Sequence, residues 1–267
     1  MTKSHTRAVI LAAGFGSRLM PHTEKKPKCM VEIAGKTILQ RQTEVFKARN
    51  IEDIAIVTGH ASTAVPRDGY RIYENPEYAT TNMVASLMKA RDWIENGHGD
   101  VIISYGDIVF NSGVLDVLIQ DSDSDAYVVS DNKWKKYWEM RMDNPLDDAE
   151  TFRLDKNGFV TELGKKPKIP AEVQGQYIGL QRWSSNALAK IFAIYDSLDR
   201  HITYDGQSFD QMYMTSFIQT LINTGLLVKA VPIENGWLEL DTVDDYKLYQ
   251  DLINKNTMDD LYDINEF

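Results

Sequence analysis

The chain alternates short apolar runs with stretches in which apolar residues recur every three or four positions. The apolar runs are typical of strands and the three-to-four spacing of helices. The strands predicted in the first 130 residues are Ala8–Ala12, Ile54–Thr58, Tyr70–Tyr73, Val101–Ser104 and Ala126–Ser130. The helices predicted between them are Thr37–Arg49, Met83–Ile94 and Gly113–Gln120. This alternation predicts an α/β fold with a mainly parallel, twisted sheet sandwiched by helices. Ligands of such sheets bind beyond the carboxyl ends of the strands.

From Asn132 onward the sequence becomes aromatic, polar and rich in turn residues, which predicts a small antiparallel or irregular region. Its predicted turns or loops are Asn132–Tyr137, Asp155–Gly158 and Lys165–Pro170. Two helices, one strand and a last helix are predicted to follow: Ser185–Tyr195, Phe209–Thr224, Leu226–Pro232 and a helix starting near Val243. Since no internal repeat or linker-like tract interrupts the pattern, we expect a single domain over residues 1–267.

Composition and charge narrow the classes of protein that remain. No apolar run approaches the roughly 20 residues that span a bilayer, so we expect no membrane insertion and a soluble, cytoplasmic protein. The single cysteine, Cys29, excludes a disulfide framework and a cysteine-rich zinc site, so any metal would be bound by oxygen ligands. The net charge is −10, yet residues 1–50 carry ten Lys/Arg against three Asp/Glu. An acidic chain with one local basic segment favours a small anionic ligand over nucleic acid.

A glycine-containing segment follows the first predicted strand directly, running from Leu11 through Gly14, Gly16 and Ser17 to Arg18, with Lys28 further on. Glycines at this place let backbone N–H groups approach a phosphate, and the two cations could neutralise it. A dinucleotide-binding fingerprint would need glycine where Leu19 stands, and a Walker A loop ending at Gly35-Lys36-Thr37 would need glycine in place of Met30. Neither motif is therefore present.

The pattern Leu-Ala-Ala-Gly-x-Gly-Ser-Arg-Leu with a downstream Pro-Lys resembles the signature of the nucleotidyltransferases that act on sugar 1-phosphates and phosphocholine. The resemblance implies that the Ala12–Gly16 backbone wraps the base and phosphates, and that Arg18 and Lys28 are catalytic because they hold the phosphates in the transition state. The nucleotide-binding residues implied in this part of the chain and after the strand Val101–Ser104 are Leu11, Ala12, Ala13, Gly14, Phe15, Gly16, Ser17, Tyr105, Gly106 and Asp107.

Two aspartates complete the expected site. Asp107 follows a predicted strand and Asp241 precedes the last predicted helix, and two converging carboxylates can bind Mg²⁺. On residue type alone, Asp241 fits an N-cap better than a metal ligand. The family resemblance reverses this preference, because both aspartates match its metal ligands, with Glu239 as a less secure third ligand.

The segment expected to select the base resembles the phosphocholine and 2-aminoethylphosphonate cytidylyltransferases rather than the enzymes for thymidine or uridine nucleotides. That branch has a tyrosine, an asparagine and a serine where this chain has Tyr78, Asn82 and Ser86. Asn82 or Ser86 could bond the cytosine edge. The alternative, which is compatible with the first, is that Asn82 caps a helix and Ser86 is a small packing residue.

The acceptor-binding residues are expected among aromatic side chains and one arginine, namely Trp134, Tyr137, Trp138, Arg141 and Tyr177. Aromatic faces can hold an amine by cation–π attraction. Alternatively these rings are ordinary core residues, and Arg141 with Lys133, Lys135 and Lys136 would suit an additional anionic group.

Together with the resemblance, these features predict a Mg²⁺-dependent enzyme that transfers CMP from CTP to a small phosphorylated or phosphonate acceptor. The expected acceptors are phosphocholine, 2-aminoethylphosphonate or a related amine or amino-acid phosphate. Residues 1–130 would form the nucleotide-binding core, 131–183 an acceptor-binding insertion, and 184–267 would complete the core and metal site. A sugar-1-phosphate nucleotidyltransferase is the rival enzyme, and a non-catalytic nucleotide-binding module is the alternative of another class. The oligomeric state stays open, with a homodimer as one option.

Overall fold

A seven-stranded sheet lies at the centre of the computed structural model, which describes residues 5–120 and 124–266. The strands in the described residues are β1 Arg7–Ala12, β2 Glu32–Ile33, β3 Lys36–Thr37, β4 Ile54–Thr58, β5 Arg71–Glu74, β6 Val101–Tyr105, β7 Ile108–Phe110, β8 Ala126–Asp131, β9 Phe152–Leu154, β10 Val160–Leu163, β11 Gln176–Trp183, β12 Val228–Ile233 and β13 Trp237–Glu239. The α-helices there are α1 Ile38–Ala48, α2 Met83–Met88, α3 Arg91–Asn96, α4 Ser112–Gln120, α5 Trp134–Arg141, α6 Leu188–Ser197, α7 Met214–Asn223 and α8 Val243–Asn254.

The central sheet has the strand order β12-β8-β11-β6-β1-β4-β5. β11 pairs antiparallel with both of its neighbours, and the other pairs in the sheet are parallel. Alternate residues of β1 enter opposite hydrophobic layers, Ala8 and Ile10 on one face and Val9 and Leu11 on the other. The predicted α/β class, with a mainly parallel sheet between helices, is therefore confirmed.

The small antiparallel pairs shape the functional end of the molecule. β9 and β10 form a hairpin within the region predicted to be antiparallel or irregular. β13 pairs with β7, and just beyond this pair the backbone N–H of Leu240 donates to the carbonyl of Asp107 at 2.8 Å. Two segments that lie more than 130 positions apart in the sequence therefore meet at the carboxyl end of β6.

Three predicted elements differ from the structure. The predicted loop at Asn132–Tyr137 runs into helix α5, because Trp134, Tyr137 and Trp138 recur at helical spacing and bury one face of that helix. The predicted helix Met83–Ile94 is two helices, α2 and α3, since Lys89 and Ala90 donate to carbonyls three residues back. The predicted helix Phe209–Thr224 is a 3₁₀ turn followed by α7.

No helix within residues 5–120 and 124–266 is both long and apolar enough to cross a membrane.

Candidate active site

The segment after β1 forms a tight loop whose shape depends on glycine. Gly16 has a φ of +66°, and a Cβ there would lie 2.8 Å from Cγ of Lys28. The hydroxyl of Thr23 donates to the Gly16 carbonyl at 2.8 Å and fixes the loop against the following turn. Backbone groups of this loop therefore line an open space rather than a packed core.

That space is a cavity of about 240 Å³ at the carboxyl ends of β1 and β6. The loop forms one wall, and Tyr105, Gly106 and Asp107 form the opposite wall. A Cβ on Gly106 would lie 2.6 Å from the Leu11 carbonyl oxygen, so only glycine allows the two walls to meet this closely.

A group of four charged side chains lies in this cavity. Lys28 Nζ is 3.1 Å from Oδ2 of Asp107 and also hydrogen-bonds Oδ1 of Asp241. Nη2 of Arg18 lies 2.7 Å from the other oxygen of Asp241. Burial lowers the pKa of Lys28, but Asp107 and Asp241 raise it more, so the net shift is upward and the ammonium keeps its charge. Two carboxylates therefore already converge on one cation.

Asp241 is not the cap of the last helix. Thr242 occupies the N-cap of α8, where its hydroxyl accepts from the N–H of Asp245 at 3.1 Å and the Asp245 carboxylate accepts from the N–H of Thr242. The Asp241 side chain is left to face Lys28 and Arg18. The cap interpretation from residue type alone is therefore wrong for Asp241.

A smaller extension of about 70 Å³ continues the cavity between the glycine loop and the start of α2. Tyr78, Asn82 and Ser86 line it. Oδ1 of Asn82 accepts from the N–H of Met83 at 2.8 Å, so this side chain is a helix cap as well as a lining residue. The fully buried Asn75 donates a hydrogen bond to Ser86. The sequence patterns did not indicate this contact.

A second cavity of about 310 Å³ adjoins the first and shares Arg18, Met83 and Tyr105 with it. Its aromatic lining residues are Trp138, Tyr177, Tyr213 and Trp237, in addition to the shared Tyr105. Its acidic lining residues are Asp148, Glu150 and Glu239. Within the described residues Arg18 is the only Lys or Arg that lines it, so acidic side chains outnumber basic ones along its walls.

Comparison with known proteins fits this geometry. The family model of the MobA-like NTP transferase domain matches residues 8–176. A CTP:phosphoglutamine cytidylyltransferase of Campylobacter jejuni is 42% identical over 250 residues, covering 90% of this chain and 98% of the relative. The chain belongs to the MobA-like NTP transferase family. It is thus a nucleotidyltransferase, and the predicted family membership is confirmed.

Solved structures agree with this transferase fold. The CTP:phosphocholine cytidylyltransferase of Streptococcus pneumoniae superposes with a TM-score of 0.71 at 22% identity, covering 93% of this chain and 99% of the other. The inositol-1-phosphate CTP transferase of T. maritima superposes with a TM-score of 0.73 at 15% identity, covering 98% and 99%. At these identities the likeness shows the fold alone.

Most of the predicted nucleotide-binding residues line the first cavity or its small extension. Phe15 differs, because its ring packs on His60 with centroids 4.4 Å apart and lines neither cavity. Ala13 lines the small extension rather than the larger part. Glu239 lines the second cavity and is hydrogen-bonded to Arg141. Its charge still raises the pKa of Lys28, but within the described residues it does not complete a three-residue metal-binding group with the two aspartates.

The predicted acceptor residues separate into two groups. Trp138 and Tyr177 line the second cavity. Trp134 and Tyr137 do not line it, because their side chains are buried in the core, and this corrects the predicted set. Trp134 Nε1 donates to the Val173 carbonyl at 3.2 Å, and the Tyr137 hydroxyl accepts from the N–H of Glu239 at 2.9 Å.

The structure also corrects the prediction that Arg141 binds the acceptor. Its guanidinium lies 2.7 Å from Glu239 and 2.8 Å from Asp245, and the side chain is only 3% exposed. It therefore holds two carboxylates and is not free to grip an anionic acceptor group. Lys133 and Lys135 lie outside this cavity, near Glu234 and Glu139 respectively.

The sequence patterns missed Glu150, Asp148 and Thr215, which also line the second cavity. These residues lie in a turn-rich segment and at the start of α7, and no spacing links them in the sequence. Acidic residues in the region predicted to be antiparallel or irregular were the only available signal, and by themselves they do not distinguish a site from a solvated surface.

Proposed function

We propose that this transferase moves CMP from CTP to a small phosphorylated acceptor that carries an amine, with phosphoglutamine as the first acceptor to test. The observation that carries the proposal is the junction of the two cavities, where Lys28, Asp107 and Asp241 lie next to Arg18. Transfer requires the nucleotide α-phosphate and the acceptor phosphate to meet at one point. The near full-length similarity to a CTP:phosphoglutamine cytidylyltransferase supports the choice of nucleotide and acceptor.

In the proposed reaction an acceptor phosphate oxygen attacks the α-phosphorus of CTP. A new P–O bond forms, the bond between the α-phosphorus and the oxygen that bridges to the β-phosphate breaks, and pyrophosphate leaves with that electron pair. The attacking oxygen is already ionised near neutral pH, so no side chain has to remove a proton. Catalysis then depends on positioning and on neutralising charge.

Lys28 and Arg18 are the cations placed to do this. Lys28 is held by two carboxylates beside the glycine loop. Arg18 lines both the first and the second cavity and pairs with one of these carboxylates. Both could turn to the phosphates when the nucleotide enters, because their present partners are side chains of the same cavity. A preorganised cation at developing negative charge is the kind of group whose loss costs an enzyme about 10²-fold or more in rate.

Asp107 and Asp241 fit the role of Mg²⁺ ligands. Their oxygens are hard donors, they come from two different segments, and they already share one cation, the Lys28 ammonium. Within the described ranges no third His, Cys, Asp or Glu joins them in a group that could hold a metal ion. When bound, Mg²⁺ would supply charge neutralisation on the triphosphate.

The surroundings of Glu150 favour an acceptor that carries an amine. Burial, Asp148 and Glu239 raise the pKa of Glu150 to about 7, and the neighbouring Thr215 hydroxyl opposes this only in part. A cationic group facing Glu150 would compensate the acidic excess and pack against Trp138. An uncharged sugar would leave Glu150 without a cationic partner.

A pyrophosphate-release assay tests the proposal. CTP, UTP, ATP and GTP would each be combined with phosphoglutamine, phosphocholine, 2-aminoethylphosphonate and glucose 1-phosphate. We expect turnover with CTP and an amine-bearing acceptor. Glu150→Gln should raise the KM for that acceptor about tenfold and leave the KM for CTP unchanged, since a charge-assisted contact is lost.

Asp143→Asn is the matched control for Glu150→Gln, because Asp143 is an exposed acid of the same segment that does not line the cavity. Turnover with glucose 1-phosphate and with no amine-bearing acceptor would overturn the proposal in favour of the rival enzyme.

A further inference from the structure

The extension of the nucleotide cavity ends at a buried hydrogen-bond network centred on Asn75. This side chain is fully buried just after β5. Its amide nitrogen donates to the hydroxyls of Thr81 at 2.9 Å and Ser86 at 3.0 Å, and its amide oxygen accepts from the N–H of Glu77 at 3.1 Å. Because a backbone N–H can only donate, the oxygen must face Glu77 and the NH₂ group must face the two hydroxyls.

This orientation determines which way the two hydroxyl hydrogens point. The Thr81 hydroxyl accepts from Asn75 and donates to the Glu77 carbonyl at 2.9 Å, so its hydrogen is used. The Ser86 hydroxyl also accepts from Asn75, so its hydrogen must point away from that residue. Among residues 5–120 and 124–266 no protein group accepts it. Ser86 lines the cavity extension and therefore has a donor available for a ligand there.

The extension is the place for the base if the nucleotide binds as proposed. It shares Leu11, Gly14, Asn82 and Met83 with the larger cavity, whereas Arg18, Lys28 and the aspartates lie only in the larger part. The phosphates belong with the cations, so the base lies at the other end. There a fixed donor distinguishes the pyrimidines, because cytosine N3 is an acceptor and uracil N3 carries a hydrogen.

We propose that Asn75 is a positioning residue that fixes the Ser86 hydroxyl as a donor and thereby makes the transferase prefer CTP over UTP. The inference rests on the proposed function only for the place of the nucleotide. Asn75 does not touch the base in this arrangement and acts through Ser86.

Asn75→Asp is the decisive variant. The new carboxylate can still accept from Glu77, but it cannot donate, so the Ser86 hydroxyl turns to donate to it and presents lone pairs to the base. Dissociation constants for CTP and UTP would be measured by titration calorimetry, which needs no acceptor and no turnover. We expect the ratio of UTP to CTP dissociation constants to fall about tenfold or more, the usual effect of one mismatched buried hydrogen bond.

A double-mutant cycle with Ser86→Ala separates this role from a structural one. If Asn75 acts through Ser86, Asn75→Asp changes the ratio in the wild-type background and adds nothing in the Ser86→Ala background. A merely structural role would weaken both nucleotides alike or act equally in both backgrounds. Asn96→Asp, the same chemical change at an exposed helix end, is the control and should leave the ratio unchanged.

Each remaining result is decisive. If Asn75→Asp does not fold, the neutral Asn75→Ser releases the hydroxyl from its donor and must also lower the ratio. An unchanged ratio in every folded variant of Asn75 overturns the inference, as does equal wild-type affinity for CTP and UTP. A CTP preference that depends on Asn75 together with no turnover on phosphoglutamine would overturn only the proposed acceptor.

Discussion

Lys28 carries out two electrostatic tasks at the scale of a single residue. Its ammonium lies between Asp107 and Asp241 and so holds these two carboxylates together. The same ammonium lies beside the glycine loop, where the phosphates are proposed to bind. One side chain therefore links the expected metal ligands to the nucleotide.

Removing this side chain should reduce catalysis without unfolding the protein. Lys28→Ala is expected to lower kcat/KM about 10²-fold, because one preorganised cation at the reacting phosphate is lost. Pyrophosphate release gives the rate, and circular dichroism checks the fold. Lys25→Ala is the control, since Lys25 is exposed and lies outside the cavity. Near-normal turnover of folded Lys28→Ala would remove the residue from the mechanism.

Asp241 and Thr242 are neighbours with separable roles. Asp241→Asn should abolish Mg²⁺-dependent turnover, because an amide is a poor ligand for a hard cation, and Asp107→Asn should do the same. Thr242→Ala should instead lower the free energy of unfolding by about 1 kcal/mol and leave turnover largely intact, since only the cap of α8 is lost. Urea titration and rate assays on each variant check this. An active Asp241→Asn protein would contradict the metal role.

At the scale of elements, the sequence predicts the strands and helices in which a single hydrophobic period dominates. β4 was predicted at its observed bounds, and α1 differs by one residue at each end. Helix α5 was missed because lysines lie between its buried aromatic residues and obscure the spacing. The meeting of Asp107 with Asp241 follows from the β7–β13 pair, whose two three-residue strands are too short for a periodic signal.

Arg141 connects the elements around the second cavity. It joins α5 to Glu239 at the end of β13 and to Asp245 in α8. Arg141→Ala should lower the free energy of unfolding by about 3–5 kcal/mol, because two enclosed carboxylates lose their cation. Arg153→Ala, which breaks exposed pairs with Glu162 and Glu172, should cost less than about 1 kcal/mol. Equal effects in urea titration would show that Arg141 is no more important to the fold than a surface arginine.

At the scale of the whole molecule, the basic excess of residues 1–50 does not form one anion-binding patch. Arg7 and Arg41 are buried and donate to backbone carbonyls. Lys36 and Arg49 pair with Glu44 and Asp116 near the surface. Among the cations of this segment that the structure describes, Arg18 and Lys28 line the nucleotide cavity. The charge count predicts a small anionic ligand, and two positions rather than the overall excess lie where that ligand is proposed to bind.

The acidic residues of the second cavity should also make the stability of the whole chain depend on pH. The pKa of Glu150 is raised from 4.5 to about 7 in the folded protein, first by burial and then by Asp148. Between these two pH values the unfolded chain has released this proton and the folded chain still holds it. The contribution of Glu150 to stability is therefore fully present below about pH 4.5 and is lost as pH rises through 7.

Glu150→Gln removes this titration, so its free energy of unfolding relative to wild type should rise between pH 5 and pH 8. The gain should reach up to about 3 kcal/mol, the value of the pKa shift converted to free energy. Urea titrations at pH 5, 6, 7 and 8 measure it, with Asp143→Asn as the variant expected to run parallel to wild type. A Glu150→Gln curve that is also parallel to wild type would mean that Glu150 ionises in the cavity without penalty. A cationic acceptor would then gain little from meeting it, whereas a rising difference that added phosphoglutamine reduces would link the charge of the cavity directly to the ligand it binds.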